Sequence, residues 1–342
     1  VAKENDGALS GSDFLKVCLG GPEQTFLVMS EEENEIHLLG DVSTDIINSP
    51  IKPATGWTNA PEGAKEFIIL TSAGLTRRYC LILPNEQDIY DRVAIYKSKK
   101  DEQPLAIVHE QEFVADIIDE VVVDDKHIPV NRNMKLLELA SDGSKVRYWM
   151  SGAYNIENDS VWHPKSLYKE IVENVGYIPP VSMVTGKNYE YARDILMPVW
   201  DHYCQWQANA LVYLMENNKY DIIFSHLHNV DNLGHQFWHF AKHFDEWGND
   251  AAVYQKLIEY AYVQTDRYLG EFLKFLDEDW TIIITSDHGL LSEENHAPVL
   301  TEGTISIPVM KELGYTVLKK DENGNRQLIY AKDALVTTVT TG

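Results

Sequence analysis

Between residues 221 and 285 two short apolar runs bracket one long helical pattern, and this arrangement constrains the fold more than any other feature of the sequence. The runs DIIF (221–224) and WTIIIT (280–285) have the length and composition of buried strands. Between them, residues 251–276 place Val253, Leu257, Tyr260, Tyr268, Phe272 and Phe275 on a 3.6-residue period, the signature of a helix with one buried face. Strand, long helix, strand within about 60 residues is the βαβ pattern of a parallel sheet covered by helices.

Upstream, the pattern is different. The segments QTFLVM (24–29), EFIILTS (66–72), RRYCLIL (77–83), RVAIY (92–96) and KVRYWMS (145–151) are short and rich in β-branched or aromatic residues. In the last of these, Val146, Tyr148 and Met150 alternate with Lys145, Arg147 and Trp149, as in a strand with two unlike faces. Punctuation comes from residues 49–61 and from the turn Ser141-Asp142-Gly143-Ser144. Helical spacing begins at 167–175 and is strong over 198–217, where Trp200, Cys204, Leu211 and Met215 recur. Near the end, Asn323-Gly324 between two apolar edges reads as a hairpin. No internal repeat or low-complexity tract interrupts the chain.

Both apolar runs lead into hard metal ligands. The first opens FSHLHNVDNLGHQFWHF, which contains Asp231 and His235 as D-x-x-G-H; the second ends TSDHG, with Asp287 beside His288. In open α/β sheets, sites form beyond the carboxyl ends of strands, where both clusters fall. Carboxylate with imidazole suits Zn²⁺, and also Mn²⁺ or Fe. Gly234 and Gly289 let the backbone bend closely around a bound ion or phosphate. A lone Asp-His pair in a loop is ordinarily a solvated pair; two such clusters in one βαβ unit point to ligands.

Composition narrows the partners. The formal charge of −24, from 29 Lys+Arg against 53 Asp+Glu, repels polyphosphate backbones, so a nucleic-acid polymer is not an expected partner. Small phosphate esters are compatible with it, because bound divalent cations reverse the field locally. No run reaches the roughly 18 apolar residues of a membrane span. Cys18, Cys80 and Cys204 are too far apart for a zinc ribbon or redox pair. They leave the compartment open, as does the opening VAKENDGALSGSDF, which is neither an initiator Met nor a signal peptide.

D-x-x-G-H followed, across a long helix, by an apolar strand and S-D-H-G resembles the second half of the catalytic core of the alkaline phosphatase superfamily. The linking segment YVQTDRYLGEFLKFLDEDWTIIITSDHG resembles its type I phosphodiesterase/nucleotide pyrophosphatase branch. The likeness is firmest over residues 200–291. It implies an α/β fold: an alkaline phosphatase-like core with a partly parallel sheet flanked by helices, plus a β-rich inserted domain. Residues 1–155 would form the insert and residues 156–342 the metal-binding second half of the core. The resemblance assigns Asp231 and His235 to one divalent cation, with Asp287 and His288 serving a second about 4 Å away. It implies hydrolysis of a small phosphodiester or pyrophosphate by in-line displacement through a Ser or Thr nucleophile and a covalent phospho-enzyme. His296 is the nearest candidate for the further histidine such sites use, or else a loop residue.

The family's opening strand, ending in Asp before a nucleophile loop, is not found ahead of the matched region. Val121-Val122-Val123-Asp124 and the hydroxyls Thr71 and Ser72 read as structural. The nucleophile is therefore expected on a segment outside this sequence, such as a separate N-terminal fragment, and this chain alone is expected to be inactive. His239 and His243 follow His235 at i+4 and i+8 and read as a helix face, while His226 and His228 flank the strand end, one placed to line the pocket or half-buried in the sheet. Trp238 and Trp247 read as core. Three alternatives remain. A phosphomutase of the cofactor-independent phosphoglycerate mutase kind would want Asn where Leu290 stands; an arylsulfatase would need a modified Cys or Ser; a non-catalytic relative would keep only the fold.

Overall fold

The computed structural model describes residues 25–30, 44–71, 76–123, 125–160, 162–181, 192–242, 251–278, 280–286, 288–289, 318–320 and 327–329. Two antiparallel-rich sheets and a layer of helices account for most of them. The first sheet is assembled from β3 (Lys52–Pro53), β4 (Lys65–Thr71), β5 (Thr76–Pro84), β6 (Tyr90–Tyr96) and β7 (Ala106–His109), in that order. The second runs β11 (Tyr154–Asn155), β9 (Lys126–Leu139), β10 (Val146–Met150), β1 (Thr25–Met29) and β2 (Thr44–Asn48), with β8 (Phe113–Val123) paired to β9. Its pairing is partly parallel, because β1 and β2 run in the same direction while β1–β10 and β10–β9 are antiparallel.

The second sheet is apolar on both faces, and the period-2 alternation sorts its side chains between two cores. Val28, Met134, Leu136, Tyr148 and Met150 pack toward the first sheet with Phe67, Ile69, Ile82 and Val93. Leu27, Met29 and Trp149 point the other way, into the helices. A register shift between Arg147 and Tyr148 leaves Leu137 as an extra residue on β9, and Leu137 also joins the helical core. The turn expected at 141–144 connects β9 to β10, with Gly143 at φ +65° against the Tyr90 ring.

The helices are α1 (Ser166–Asn174), α2 (Met197–Asn217), α3 (Asn229–Lys242) and α4 (Ala251–Gly270). A π-helical turn, Ala192–Leu196, leads into α2, and a 3₁₀ segment, Leu273–Glu278, follows α4. On α3, Leu233, Phe237 and Ala241 recur every four residues; on α4, Tyr254, Leu257, Ile258 and Ala261 follow the i, i+3, i+4, i+7 spacing of one helix face. These stripes close on Trp200 and Cys204 of α2 and on Trp149 of the sheet. Trp238 packs at the margin of this core, as read from the sequence. A last hairpin pairs β12 (Leu318–Lys320) with β13 (Gln327–Ile329), flanking the expected Asn323-Gly324 turn, which itself lies outside the described residues. Among the described residues no helix is long and apolar enough to cross a membrane.

One expectation is corrected. Residues 221–224 and 280–285 are not hydrogen-bonded into a sheet among the described residues; the parallel ladder found there is β1–β2. Trp280 and Ile282, with Leu227 just beyond the first segment, rest on Tyr268, Phe272 and Phe275. Ile222, Phe224, Ile283 and Ile284 are 85%, 88%, 83% and 71% exposed. The sequence encodes strands apolar on both faces, but a strand forms only beside a hydrogen-bonding neighbour, and the described residues supply none here.

Candidate metal-binding site

Residues 221–228 lead directly into α3, and the last residues before it are firmly tied down. Ser225 Oγ shares a 2.7 Å hydrogen bond with Tyr268 Oη, and Gln207 Nε2 donates to the His226 carbonyl at 2.9 Å. Asp231 then falls in the first turn of α3, where the unpaired amides and the helix dipole favour a carboxylate. The segment 280–286 returns past the same end of the helical layer. It brings His288, far along the chain, to Asp231: His288 Nε2 lies 3.8 Å from Asp231 Oδ1. His288 Nδ1 sits 3.0 Å from the Gly289 carbonyl, which can only accept; Nδ1 therefore carries the hydrogen, and Nε2 is the nitrogen turned toward the carboxylate.

This convergence joins one residue from each of the two motifs read from the sequence. The donors are a partly exposed carboxylate and an exposed imidazole, the pair suited to a borderline divalent cation. Among the described residues no group of three or more His, Cys, Asp or Glu side chains gathers around them. Asp287, His296, His243, Trp247, Asp124 and Ser72 lie outside the described residues, as do the side chains of His235, His239 and Thr71. The α3 backbone continues helically through position 235, which places that position on the same face as 231. His226 and His228 are exposed, with ring centroids 3.9 Å apart, rather than half-buried in a sheet. Val121 belongs to β8, paired antiparallel with β9 and fully buried, as the structural reading held.

Sequence reasoning missed the polar residues beneath the site. Asn229, at the start of α3, is fully buried, and Gln264 on α4 is 2% exposed. Asn229 Nδ2 donates to the Ala261 carbonyl at 2.8 Å and Thr265 Oγ1 donates to Asn229 Oδ1 at 3.2 Å. An amide side chain in a helical sequence reads as surface, and nothing in the local pattern marks these two as buried.

A separate cleft of about 460 Å³ is lined in part by Phe113, Asp201, His202, Gln264, Arg267 and Tyr268. Next to it, a bulge in β8 turns Asp116, at φ +56°, toward α2. Asp116 Oδ2 meets His202 Nε2 at 2.9 Å, and Asn131 Nδ2 donates to Oδ1 at 3.1 Å. Burial raises the Asp116 carboxyl, but the bonds from His202 and Asn131 outweigh it and hold the group below the usual carboxylate range. A depressed folded-state pKa contributes stability above the unfolded value of about 4, lost as pH falls through the folded value. Urea unfolding of Asp116→Asn should therefore show a deficit against the parent protein at pH 6 that closes below about pH 4. A gap independent of pH contradicts the lowered Asp116 carboxyl.

The mixed α/β fold, with its partly parallel sheet, thus brings a carboxylate and an imidazole from separate motifs together at one helix N-terminus. The sequence pattern of type I phosphodiesterase / nucleotide pyrophosphatase matches residues 120–328, more than half of the chain, and the chain belongs to that family within the alkaline phosphatase superfamily. No curated protein and no solved structure gives a match. Membership assigns phosphoester hydrolysis of the phosphodiesterase/pyrophosphatase type as the general activity. The match takes in β9 and β10 as well as the helical layer and the last hairpin.

Proposed function

We propose that the chain is the metal-binding part of a two-metal hydrolase acting on small-molecule phosphodiester or pyrophosphate bonds. The observation that carries this reading is the meeting of Asp231 and His288, from motifs at opposite ends of the α3–α4 unit. Asp231 with His235 would hold one cation and Asp287 with His288 the other, with zinc favoured and manganese or iron compatible; His296 is the candidate for a further ligand. Cations bound there supply Lewis acidity, offsetting charge on phosphate oxygens and favouring an ionised hydroxyl nucleophile. The chain's own residues do the positioning: the α3 N-terminus orients the Asp231 carboxylate, and the Gly289 carbonyl fixes the His288 tautomer. With a formal charge of −24, cations at the site are also what makes an anionic substrate welcome.

The Ser or Thr nucleophile belongs, in this reading, to a segment outside the present sequence, such as a separate N-terminal fragment. Residues 1–155 would be the inserted domain that shapes substrate choice. The test is turnover of bis(p-nitrophenyl) phosphate by the complete gene product before and after chelation. The expected result is activity lost to the chelator and restored by zinc or manganese. Turnover indifferent to chelation sinks the metal-dependent mechanism, and no turnover in any metal-loaded form favours a non-catalytic relative.

A further inference from the structure

The buried polar groups under α3 form one connected set that reaches all three helices of the site. Gln264 Nε2 donates to the Met197 carbonyl at 3.2 Å and to Asp201 Oδ1 at 3.0 Å, both on α2. Its Oε1 accepts from Asn229 Nδ2 at 3.4 Å, at the start of α3. Asn229 is held from α4 twice more, through the Ala261 carbonyl and the Thr265 hydroxyl. Asp201 is in turn bonded by the Tyr260 hydroxyl and approached by Arg267 at 3.6 Å. Gln264 is thus the one described side chain here that bonds α2 and α3 from α4.

Burying two amides is unfavourable unless every bond is made, and an apolar pair of equal size would pack these helices at no such cost. What amides add is direction. The contacts of Leu233, Phe237, Tyr254 and Ile258 are non-directional and tolerate small shifts and rotations of α3. Hydrogen bonds at Asn229 do not tolerate them, and Asn229 stands two residues before Asp231 in the same helical turn. A slip of about 1 Å there moves the carboxylate out of reach of a shared ligand.

We propose that Gln264 and Asn229 are positioning residues for the metal site: their hydrogen bonds fix the first turn of α3 so that Asp231 faces His288. This rests on the metal-binding reading above and specifies which buried groups set the site's affinity. The test is titration of Zn²⁺ alone into the full chain by calorimetry, for the parent protein, Gln264→Met and Ile258→Val. Methionine keeps the volume of Gln264 and removes its bonds, while Ile258→Val trims the same helix without touching them. The expected result is a Zn²⁺ affinity about 10- to 100-fold weaker in Gln264→Met and unchanged in Ile258→Val, with the metal-free proteins melting within a few degrees of each other. Should Gln264→Met not fold, Thr265→Val, which removes the hydroxyl shared between Asn229 and the Ala261 carbonyl, is titrated instead and should weaken binding in the same direction. Affinity within twofold of the parent in the variant that folds overturns the positioning role and leaves the metal site standing. Absence of Zn²⁺ binding by the parent protein overturns both.

Discussion

Replacing Asp119 by alanine is expected to lower the free energy of unfolding by about 3–5 kcal/mol. Asp119 lies on β8 between two arginines, all three nearly inaccessible to solvent. Arg78 Nε reaches its two carboxylate oxygens at 3.0 and 3.1 Å, and Arg132 Nε approaches Oδ2 at 3.3 Å. Removing the carboxylate takes the counter-charge from two buried guanidinium groups, which keep bonds to the carbonyls of Glu120 and Arg77 for Arg78 and of Ser151 for Arg132. The desolvation already suffered by these cations is then uncompensated, and that is where the large effect originates. Urea unfolding should show a lower midpoint with little change in slope. Asp119→Asn, which keeps shape and loses charge, should fall between the two. A loss under about 1 kcal/mol in the alanine variant would mean the arginines find water or other partners, and the network would carry no weight.

Trp149→Ala is expected to cost a similar amount, about 3–5 kcal/mol, through a different mechanism. Trp149 is fully buried and projects from β10 into the helical core beside Leu27, Trp200 and Leu257, with the Phe113 ring stacked at 6.4 Å. No neighbour on a sheet can collapse far enough to fill an indole-sized void, so the cavity term persists. The loss should concentrate at the seam between sheet and helices. Hydrogen exchange in α2 and α4 should therefore quicken more than in the first sheet, whose core forms on the other face around Tyr148 and Met150. Equal quickening in both layers would contradict the division into two cores.

Trp149 also shows how far the sequence can be read. Alternation in KVRYWMS foretold a strand with unlike faces, and the two faces do enter different cores. Helices α2 and α4 were legible for the same reason: a periodic stripe reports one-sided burial directly. The long strands β8 and β9 were not, because their pattern is broken by Asp119, Asn131, Arg132 and Asn133. Charges normally mark surface, and only the pairing partner, Arg78 on β5, makes Asp119 a core residue. Residues 221–224 and 280–285 show the converse failure. Their apolar side chains foretold strands, but hydrogen-bonded pairing depends on a neighbour that a local pattern does not contain. At the candidate site, the sequence singled out Asp231 and His288 because hard ligands after apolar runs are rare combinations, and the structure brings the two within 3.8 Å. Asn229 and Gln264 were not singled out, since a buried amide looks like a surface one until its partners are known.

Elemental analysis of metal content tests the central assignment most directly, comparing the purified chain with Asp231→Ala, His288→Ala, His235→Ala and Asp287→Ala. The account predicts zinc, manganese or iron retained by the parent protein after incubation with each cation and removal of excess, and a lower content in every variant. Parent protein that retains no cation, or variants that retain as much as the parent, would contradict it.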